Sequence, residues 1–341
     1  MRAAVFSSAT RKLAVTEVAD PVPGEGQVVI KVHRCGICGS DLHMAEDHRF
    51  RFDDGAIPGH EVSGEVVALG PGVERVRVGD HVAVMPFLSC GQCLACLGGD
   101  PMGCRRATIF GSGGATGGYA EYLLTNDLWC VGLPRSLSFE DGALIEPMAV
   151  SLRAARVSGI RTGDRVLVLG AGAIGLAAAY WARRAGAGSI AVSATSRRRE
   201  SMAMAIGADT FLVPEEGRRL SQQATEALGG PADIVFECAG MPGSLDQAVS
   251  AVRRKGAVVA PGFCWSPDQF SPMKAAMKEA TITFTNVYDT REFEIAVKSF
   301  DQGHVEPRAM VTKVVDLDSA PEAFEELRGR NEQCKVQISP F

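Results

Sequence analysis

The sequence lacks the features that mark a nucleic-acid-binding or membrane-spanning protein. It has 35 lysines and arginines against 40 aspartates and glutamates, a formal net charge of −5, whereas a nucleic-acid partner usually requires a basic patch. The run that most resembles a membrane span, 166–182, is shorter than the roughly 20 residues that a span needs. It also has glycines at positions 170, 172 and 175, which predict a strand, a turn and a helix. We therefore expect no nucleic-acid partner and no membrane association.

The sequence also lacks the marks of an exported disulfide scaffold. Its first residues, MRAAVFSSATRKLAV, carry charges before any apolar core, and no small-residue cleavage site follows, so we expect no signal peptide. Of the ten cysteines, four lie between positions 90 and 104. In the reducing cytosol disulfides are rare, and clustered cysteines more often hold a metal. We expect a cytoplasmic protein with a metal-binding cluster.

The pattern of hydrophobic residues changes near position 147. Before it, short β-type runs such as QVVIKV, EVSGEVVAL and DHVAVM are separated by Gly, Pro and Asp, which predicts strands and turns. After it, apolar strands such as RVLVLG and SIAVSA alternate with helical segments such as RRRESMAMAIGA, which predicts a parallel, doubly wound α/β sheet. We predict a β-rich first domain over 1–147, a second domain over 148–284, and a return to the first domain over 285–341.

The strongest local motif has the spacing Cys90-x2-Cys93-x2-Cys96-x7-Cys104. Four thiolates at short spacing favour tetrahedral zinc in a closed site, with no position left for substrate. Soft thiolates also suit an iron–sulfur cluster, although these spacings differ from the ferredoxin patterns. Free surface thiols are the remaining alternative. The motif predicts a structural zinc.

A second set of possible metal ligands is dispersed along the first domain. Cys38 lies in CGICGSDLH, His60 and Glu61 lie in PGHEVSGE, and Glu146 lies in ALIEPMAV. A catalytic zinc takes three protein ligands and keeps one position open. Cys38, His60 and Glu146 are the candidates for those three, and Glu61 is a candidate outer group or exchangeable ligand. The spacing alone leaves open whether these side chains converge, and each residue by itself would have a structural role.

A glycine motif, Gly170-x-Gly172-x-x-Gly175, follows the apolar run RVLVL and opens a helical segment. Between a strand and a helix, this pattern predicts a dinucleotide site. The first glycine makes the tight turn, the second admits the pyrophosphate, and the third lets helix and strand pack closely. A purely structural turn is the alternative. Ala173 and Ile174 complete the predicted phosphate-binding turn.

The end of the second predicted strand of this domain favours NADP over NAD. An NAD site expects an acid there for the ribose 2′-hydroxyl, but this sequence has Ala194 followed by polar and basic residues. Arginine suits the 2′-phosphate of NADP, whereas three cations at a helix start are otherwise mildly unfavourable. The predicted contacts are Ser193, Thr195, Ser196, Arg198 and Arg199.

Taken together, the motifs resemble those of the zinc-containing medium-chain alcohol dehydrogenase family. CGICGSDLH, GHEVSGEV, VGDHVAV, the four-cysteine motif, ALIEPMAV and VLVLGAGAIGLAA occur in the family's order across essentially the whole chain. The glutamate in ALIEP makes the sequence most similar to the polyol branch, which includes sorbitol and butanediol dehydrogenases. The resemblance implies a GroES-like catalytic domain, a Rossmann domain and a homodimer or homotetramer.

The resemblance also implies roles for individual residues. It assigns the catalytic zinc to Cys38, His60 and Glu146 with Glu61 beside them, and a second, structural zinc to the four-cysteine motif. Ser40 matches the hydroxyl that contacts the substrate oxygen, and His43 matches the outer member of a proton relay. We therefore predict an enzyme that exchanges hydride between a secondary alcohol, or a small diol or polyol, and NADP.

Two departures from the family pattern bear on specificity. Ala194 replaces the usual acid, and Val287, beside Tyr288, stands where the polyol branch has an arginine that contacts substrate hydroxyls. An apolar Val287 would suit a less hydroxylated alcohol. The alternatives are an NAD-dependent polyol dehydrogenase of the sorbitol type, a zinc-free quinone or enoyl reductase, and a non-catalytic zinc- and NADP-binding sensor. A metal count and a turnover assay separate them.

Overall fold

The computed structural model describes residues 1–46, 51–112 and 115–341. These residues divide into two compact units. The first comprises 1–146, 288–305 and 311–341, and the second comprises 147–287 and 306–310. Within the described residues, no helix has both the length and the apolar character needed to cross a membrane.

The strands are numbered in chain order. They are β1 (Arg2–Ser7), β2 (Lys12–Glu17), β3 (Gln27–Gly36), β4 (Glu61–Leu69), β5 (His81–Val84), β6 (Phe87–Leu88), β7 (Thr108–Ile109), β8 (Tyr122–Asn126), β9 (Cys130–Gly132), β10 (Arg165–Leu169), β11 (Ser189–Ser193), β12 (Thr210–Leu212), β13 (Ala232–Glu237), β14 (Val252–Ala260), β15 (Thr281–Phe284), β16 (Val311–Asp316) and β17 (Lys335–Ser339).

The α-helices are numbered in the same way. They are α1 (Gly39–Glu46), α2 (Leu94–Leu97), α3 (Phe139–Val157), α4 (Ala173–Arg184), α5 (Glu200–Ile206), α6 (Leu220–Leu228), α7 (Ser244–Ala251), α8 (Pro272–Lys278), α9 (Thr290–Asp301) and α10 (Ala320–Arg328). Single 3-10 turns occupy Pro101–Gly103, Asp127–Trp129, Arg197–Arg199 and Glu306–Met310.

The second unit is built on a six-stranded parallel sheet with the order β12-β11-β10-β13-β14-β15. Its central strands are buried because they are runs of Val, Leu and Ile, as a parallel sheet covered on both faces requires. The strand order reverses between β10 and β13, and ligands of such sheets bind outside the carboxyl ends of the strands at that point. The α/β prediction for this part of the chain is confirmed.

The first unit contains a mostly antiparallel sheet with the order β16-β17-β3-β4-β5-β9, in which β8 also pairs with β3. The last strand, β17, lies antiparallel to β3, so the C-terminal segment completes the sheet that the N-terminal segment begins. Alternating apolar residues of β3, β4 and β17 pack with Tyr119 and Phe324 into one core. This sheet places the ends of β3, β4 and β17 side by side.

The segment RRRESMAMAIGA differs from the single helix that its pattern predicts. Arg197–Arg199 form a 3-10 turn, and the α-helix begins only at Glu200. An acid at the first turn suits the positive end of the helix dipole, whereas three cations there would oppose it. The arginines therefore lie before the helix, at the end of β11.

Candidate active site

Three potential metal ligands converge at the ends of β3 and β4. One ligand atom from each of Cys38, His60 and Glu61 lies within 4.8 Å of the other two. The pairing of β3 with β4 sets Gly36 opposite Glu61, so the residues just beyond the end of β3 approach those at the start of β4. Thiolate, imidazole and carboxylate are the donor types of catalytic zinc sites.

The imidazole of His60 is oriented by a buried carboxylate that the sequence analysis did not identify. Asp41 Oδ1 lies 3.2 Å from His60 Nδ1. Its Oδ2 accepts hydrogen bonds from the Tyr119 hydroxyl at 2.6 Å and from the backbone amide of Cys38 at 3.1 Å. With Nδ1 held in this way, Nε2 is the nitrogen left for a metal, as in carboxylate–histidine–zinc arrangements.

The charges of this pair stabilise each other. Burial disfavours the protonated form of His60, but Asp41 and then Cys38 outweigh it and raise the pKa of His60 well above its ordinary value. Burial likewise opposes the charge of Asp41, and the neighbouring His60 outweighs it, so the pKa of Asp41 is lowered. Asp41 is therefore a carboxylate that keeps a proton on Nδ1 of His60.

Glu61 is held by a buried ion pair. Its Oε1 lies 2.6 Å from Lys335 Nζ, and both residues are almost completely buried. Its other oxygen, Oε2, is buried without a hydrogen-bond partner among the described residues. A buried acceptor without a partner is costly, and a cation at the Cys38–His60–Glu61 cluster would satisfy it. The unpartnered Oε2 of Glu61, together with the thiol of Cys38 and the imidazole of His60, fits a bound zinc.

The close approach of Glu61 to β3 requires a glycine. A methyl group on Gly36 would lie 2.0 Å from Glu61 Oε2 and 3.2 Å from its Cβ. Because Lys335 holds this carboxylate from the other oxygen, the side chain has little freedom to move aside. Gly36 therefore provides the space in which the carboxylate reaches the cluster.

Glu146 lies near these residues but outside the set whose ligand atoms converge. It is 6% exposed on α3. Burial raises the pKa of Glu146 to about 7, against the opposing influence of His60. The buried hydroxyl of Tyr288 faces it at a geometry short of a formal hydrogen bond. Among the described residues, the ligand atoms that converge are therefore those of Cys38, His60 and Glu61, whereas the family resemblance implied Glu146 as the third ligand with Glu61 beside it.

The two residues expected to carry protons lie on α1, directly after Cys38. Ser40 is half-buried in the first turn of the helix, and His43 is exposed one turn later. Residues three apart on a helix lie on one face. Ser40 and His43 therefore lie on the same face of α1, with His43 at the surface.

The four cysteines of the other motif also converge. Their Sγ atoms all lie within 4.8 Å of one another, with separations of 3.5 Å for Cys93–Cys96 and 3.6 Å for Cys90–Cys104. Zinc–sulfur bonds of about 2.3 Å in a tetrahedron give sulfur–sulfur distances of about 3.8 Å. Backbone amides of Gln92 and Cys93 lower the pKa of Cys90 to about 6. The set fits one tetrahedral zinc. Residues 90–104 are called the cysteine lobe below.

A cavity of about 380 Å³ lies at the carboxyl ends of the central strands in the second unit. The glycine motif forms part of its wall, and two of its three glycines are required by close contacts within the protein. Gly170 has φ +100° and packs on the backbone of Cys238, and a methyl group on Gly175 would lie 1.9 Å from the carbonyl oxygen of Gly170. A methyl group on Gly172 would meet nothing within 4 Å, so the start of α4 is open to a ligand.

Most of the predicted cofactor residues line this cavity. They are Gly170, Gly172, Ser193, Thr195, Ser196, Arg198 and Arg199. Ala173, Ile174 and Gly175 belong to the first turn of α4 but are not part of the wall. Among the described lining residues there is no acid, and Ala194 stands at the end of β11. Arg199 Nη1 donates to the carbonyl of Ala171 at 3.0 Å, which holds its guanidinium across the glycine turn.

Comparison with known proteins identifies the family of the chain. Residues 24–135 match the family model described as alcohol dehydrogenase GroES-like domain, and residues 173–302 match the one described as zinc-binding dehydrogenase. The (R,R)-butanediol dehydrogenase of Bacillus subtilis is 33% identical over 344 residues, which cover 97% of each chain. The chain belongs to the zinc-dependent medium-chain alcohol dehydrogenase family. It is an oxidoreductase.

Further medium-chain dehydrogenases resemble the whole chain. The sorbitol dehydrogenase of Bacillus subtilis is 30% identical over 345 residues, covering 100% of this chain and 97% of the relative. A crystal structure of a zinc-binding dehydrogenase from Sinorhizobium meliloti 1021, bound to NADP, superposes with a TM-score of 0.89 at 28% identity and covers 99% of both chains. The similarity confirms the predicted GroES-like and Rossmann folds and the resemblance to the polyol branch.

Sequence reasoning missed the residues that support the ligands of this dehydrogenase. Asp41 lies three positions after Cys38, so a search for carboxylates near each candidate ligand would have found it. Lys335 is a lysine at the start of the apolar strand β17, where full burial is rare for lysine without a partner. Tyr119 carried no signal in the sequence, and Tyr288 was noted only as the neighbour of Val287.

We expect Asp41→Asn to weaken zinc binding at the catalytic cluster roughly tenfold to a hundredfold. The amide keeps the size of the side chain but cannot supply the negative charge that holds a proton on His60 Nδ1. Competition with a chromophoric chelator measures the affinity, and the zinc of the cysteine lobe serves as the internal reference. Equal zinc affinity in the variant and the wild type would refute the orienting role of Asp41.

Proposed function

We propose that the protein transfers hydride between a secondary alcohol, or a small diol or polyol, and NADP, with one catalytic and one structural zinc per chain. The observation that carries this proposal is the convergence of Cys38, His60 and Glu61, together with a buried Glu61 oxygen that has no hydrogen-bond partner in the described part of the chain. When bound, zinc would supply Lewis-acid polarisation of the substrate oxygen, and the nicotinamide would supply the hydride exchange.

The chain's own residues hold the metal and move the proton. Cys38, His60 and Glu61 would be its ligands, leaving a tetrahedral position for the substrate oxygen. Asp41 fixes the ring of His60, and Lys335 fixes the carboxylate of Glu61. The hydroxyl of Ser40 would relay the substrate proton, giving up its own proton as it accepts the new one, and the exposed His43 would be the outer member of the relay that releases a proton to solvent.

The glutamates have separate roles in this proposal. Glu61 would neutralise part of the metal's charge, together with the thiolate of Cys38. Glu146, buried with a pKa of about 7, lies beside the cluster, where a carboxylate can exchange with Glu61 as ligand or orient a substrate hydroxyl. In this proposal Glu61 is the ligand and Glu146 lies beside the metal, whereas the family resemblance implied the reverse.

Two observations support NADP over NAD. Arg198 and Arg199 line the cavity at the end of β11, and no acid does so among the described lining residues. A guanidinium recognises phosphate through a planar fork of donors. The Sinorhizobium relative was solved with NADP, which makes this cofactor compatible with the family's fold.

The apolar Val287 and the similarity to butanediol and sorbitol dehydrogenases support a small alcohol with few hydroxyl groups. We further propose a homodimer or homotetramer, which sedimentation analysis would test. The reaction class itself needs a direct assay.

The purified protein should oxidise NADPH faster than NADH when given a panel of aliphatic, aromatic and hydroxylated ketones. Turnover should disappear after treatment with a zinc chelator and return when zinc is added. Turnover with NADH alone would refute the NADP proposal and leave the zinc proposal intact. Full turnover in protein stripped of metal would refute the zinc proposal.

A further inference from the structure

The cysteine lobe is attached at two points to the segment that follows β15. Immediately before the lobe, Phe87 packs edge-on against the ring of Tyr288, with ring centroids 6.5 Å apart. Within the lobe, the carbonyl of Gly99 accepts hydrogen bonds from the backbone amide of Thr290 at 3.0 Å and from its hydroxyl at 3.3 Å. The lobe thus contacts the start of α9.

Tyr288 lies between these two contacts and is held in place by them. Its side chain is 2% exposed, its ring also packs on Phe293 at 5.4 Å, and its hydroxyl faces Glu146. The preceding Val287 has φ +50°, which is unfavourable for a β-branched residue. A conformation of this kind persists only where its surroundings enforce it, and the bonds from Gly99 to Thr290 are part of those surroundings.

The shape of the lobe depends on its thiolates and not on a core of its own. Its helix α2 has four residues, and Leu94 and Leu97 on it are 90% and 70% exposed. Small segments of this kind owe their structure to the bound metal. The position of the Gly99 carbonyl is therefore set by the cysteine cluster.

We propose that the cysteine lobe is a positioning element for the catalytic cluster. Gly99 holds Thr290, Thr290 positions the ring of Tyr288, and the buried Tyr288 limits the space open to the carboxylate of Glu146 beside His60 and Glu61. Gly99, Thr290 and Tyr288 are positioning residues, since none of them is a ligand. The inference rests on the proposed ligand set at Cys38, His60 and Glu61, and its test separates the two.

Two glycines of the lobe offer a matched pair of variants. Gly99 has φ +77°, and a methyl group on it would lie 3.1 Å from Thr290 Oγ1 and 3.4 Å from Thr290 Cβ. Gly91 has φ +71°, and a methyl group there would meet nothing within 4 Å. Gly99→Ala and Gly91→Ala therefore impose the same left-handed strain on the lobe, but only Gly99→Ala presses on Thr290.

The readout is the visible spectrum of cobalt(II) bound at the catalytic cluster, recorded with zinc retained in the lobe. The d–d bands report ligand geometry, which a loss of general stability would not change. Gly99→Ala should shift these bands and lower kcat roughly tenfold relative to Gly91→Ala, with KM changed less. Identical spectra and identical kcat in the two variants would overturn the proposal.

A double-mutant cycle tests the route through Tyr288. In a Tyr288→Phe background, Gly99→Ala should have little additional effect on kcat, because the contact with Glu146 is already lost. An undiminished effect in that background would overturn the route.

If Gly99→Ala does not fold, Thr290→Val takes its place, with Thr290→Ser as the variant that keeps the hydroxyl. Thr290→Val should lower kcat and Thr290→Ser should not, and equal kcat values would overturn the proposal.

The cobalt experiment also tests the assignment of the three ligands separately from the role of the lobe. A wild-type protein that binds no cobalt outside the lobe would refute Cys38, His60 and Glu61 as ligands. The difference in kcat between Gly99→Ala and Gly91→Ala would then still decide whether the lobe positions the active site.

Discussion

Replacing Cys38 by serine should lower turnover at least about a thousandfold while the protein stays folded. The thiolate is the only soft ligand in the cluster of Cys38, His60 and Glu61, and serine is not among the usual ligands of protein-bound zinc. Loss of the metal would leave the substrate oxygen without Lewis-acid polarisation, although Ser40 and His43 remain in place.

The matched control is Cys35→Ser, three residues earlier. Cys35 is fully buried, is not part of the converging set, and its thiol donates a weak hydrogen bond to the carbonyl of Gly36 at 3.8 Å. This variant should lose some stability because it buries a hydroxyl, but it should keep the catalytic metal and its turnover. Metal analysis should find one zinc fewer per chain in Cys38→Ser than in Cys35→Ser. If Cys38→Ser retained full turnover, the zinc site would be wrongly assigned.

Replacing Arg199 by alanine should raise the KM for NADPH roughly tenfold to a hundredfold and change the KM for NADH little. Arg199 lines the cavity at the end of β11, and its bond to the carbonyl of Ala171 holds the guanidinium in place before the cofactor arrives. A charge-assisted pair of hydrogen bonds to a 2′-phosphate is lost in the variant. NADH has a hydroxyl in place of the 2′-phosphate, so its binding should weaken much less.

Arg197→Ala is the control for the general effect of removing a positive charge. Arg197 precedes Arg199 by two residues, pairs with Glu200 at 2.6 Å and does not line the cavity. Steady-state kinetics with both cofactors should show a selective effect for Arg199 and none for Arg197. Equal losses for NADPH and NADH in Arg199→Ala would exclude recognition of the 2′-phosphate.

The features predictable from sequence are those in which one local segment specifies the structure. The four cysteines occur within 15 positions, so a tight loop suffices to bring their sulfurs together. The glycine motif occupies a single strand–turn–helix unit, and the close contact between Gly175 and the carbonyl oxygen of Gly170 acts within that unit. The alternation of apolar strands and helices after position 147 likewise predicts a parallel sheet, because each strand is buried on both faces.

The sequence did not predict which glutamate joins Cys38 and His60. Both Glu61 and Glu146 have side chains that can bind zinc, and the family resemblance implied Glu146. The choice depends on the register of β3 against β4, which sets Gly36 opposite Glu61 and leaves room for its carboxylate. Register is a property of the folded sheet, and a shift by one residue would turn Glu61 to the opposite face.

By itself the sequence determined the family and the two folds, and it supplied the candidate ligands of two predicted metal sites and the basic residues of the predicted cofactor pocket, because short segments carry each of these. Only the tertiary structure decided the supporting contacts. Lys335 reaches Glu61 across 274 positions and Tyr119 reaches Asp41 across 78, and the C-terminal strand β17 lies beside β3. Burial is what made these contacts necessary, since a charge removed from water needs a partner, and burial is set by how distant segments pack.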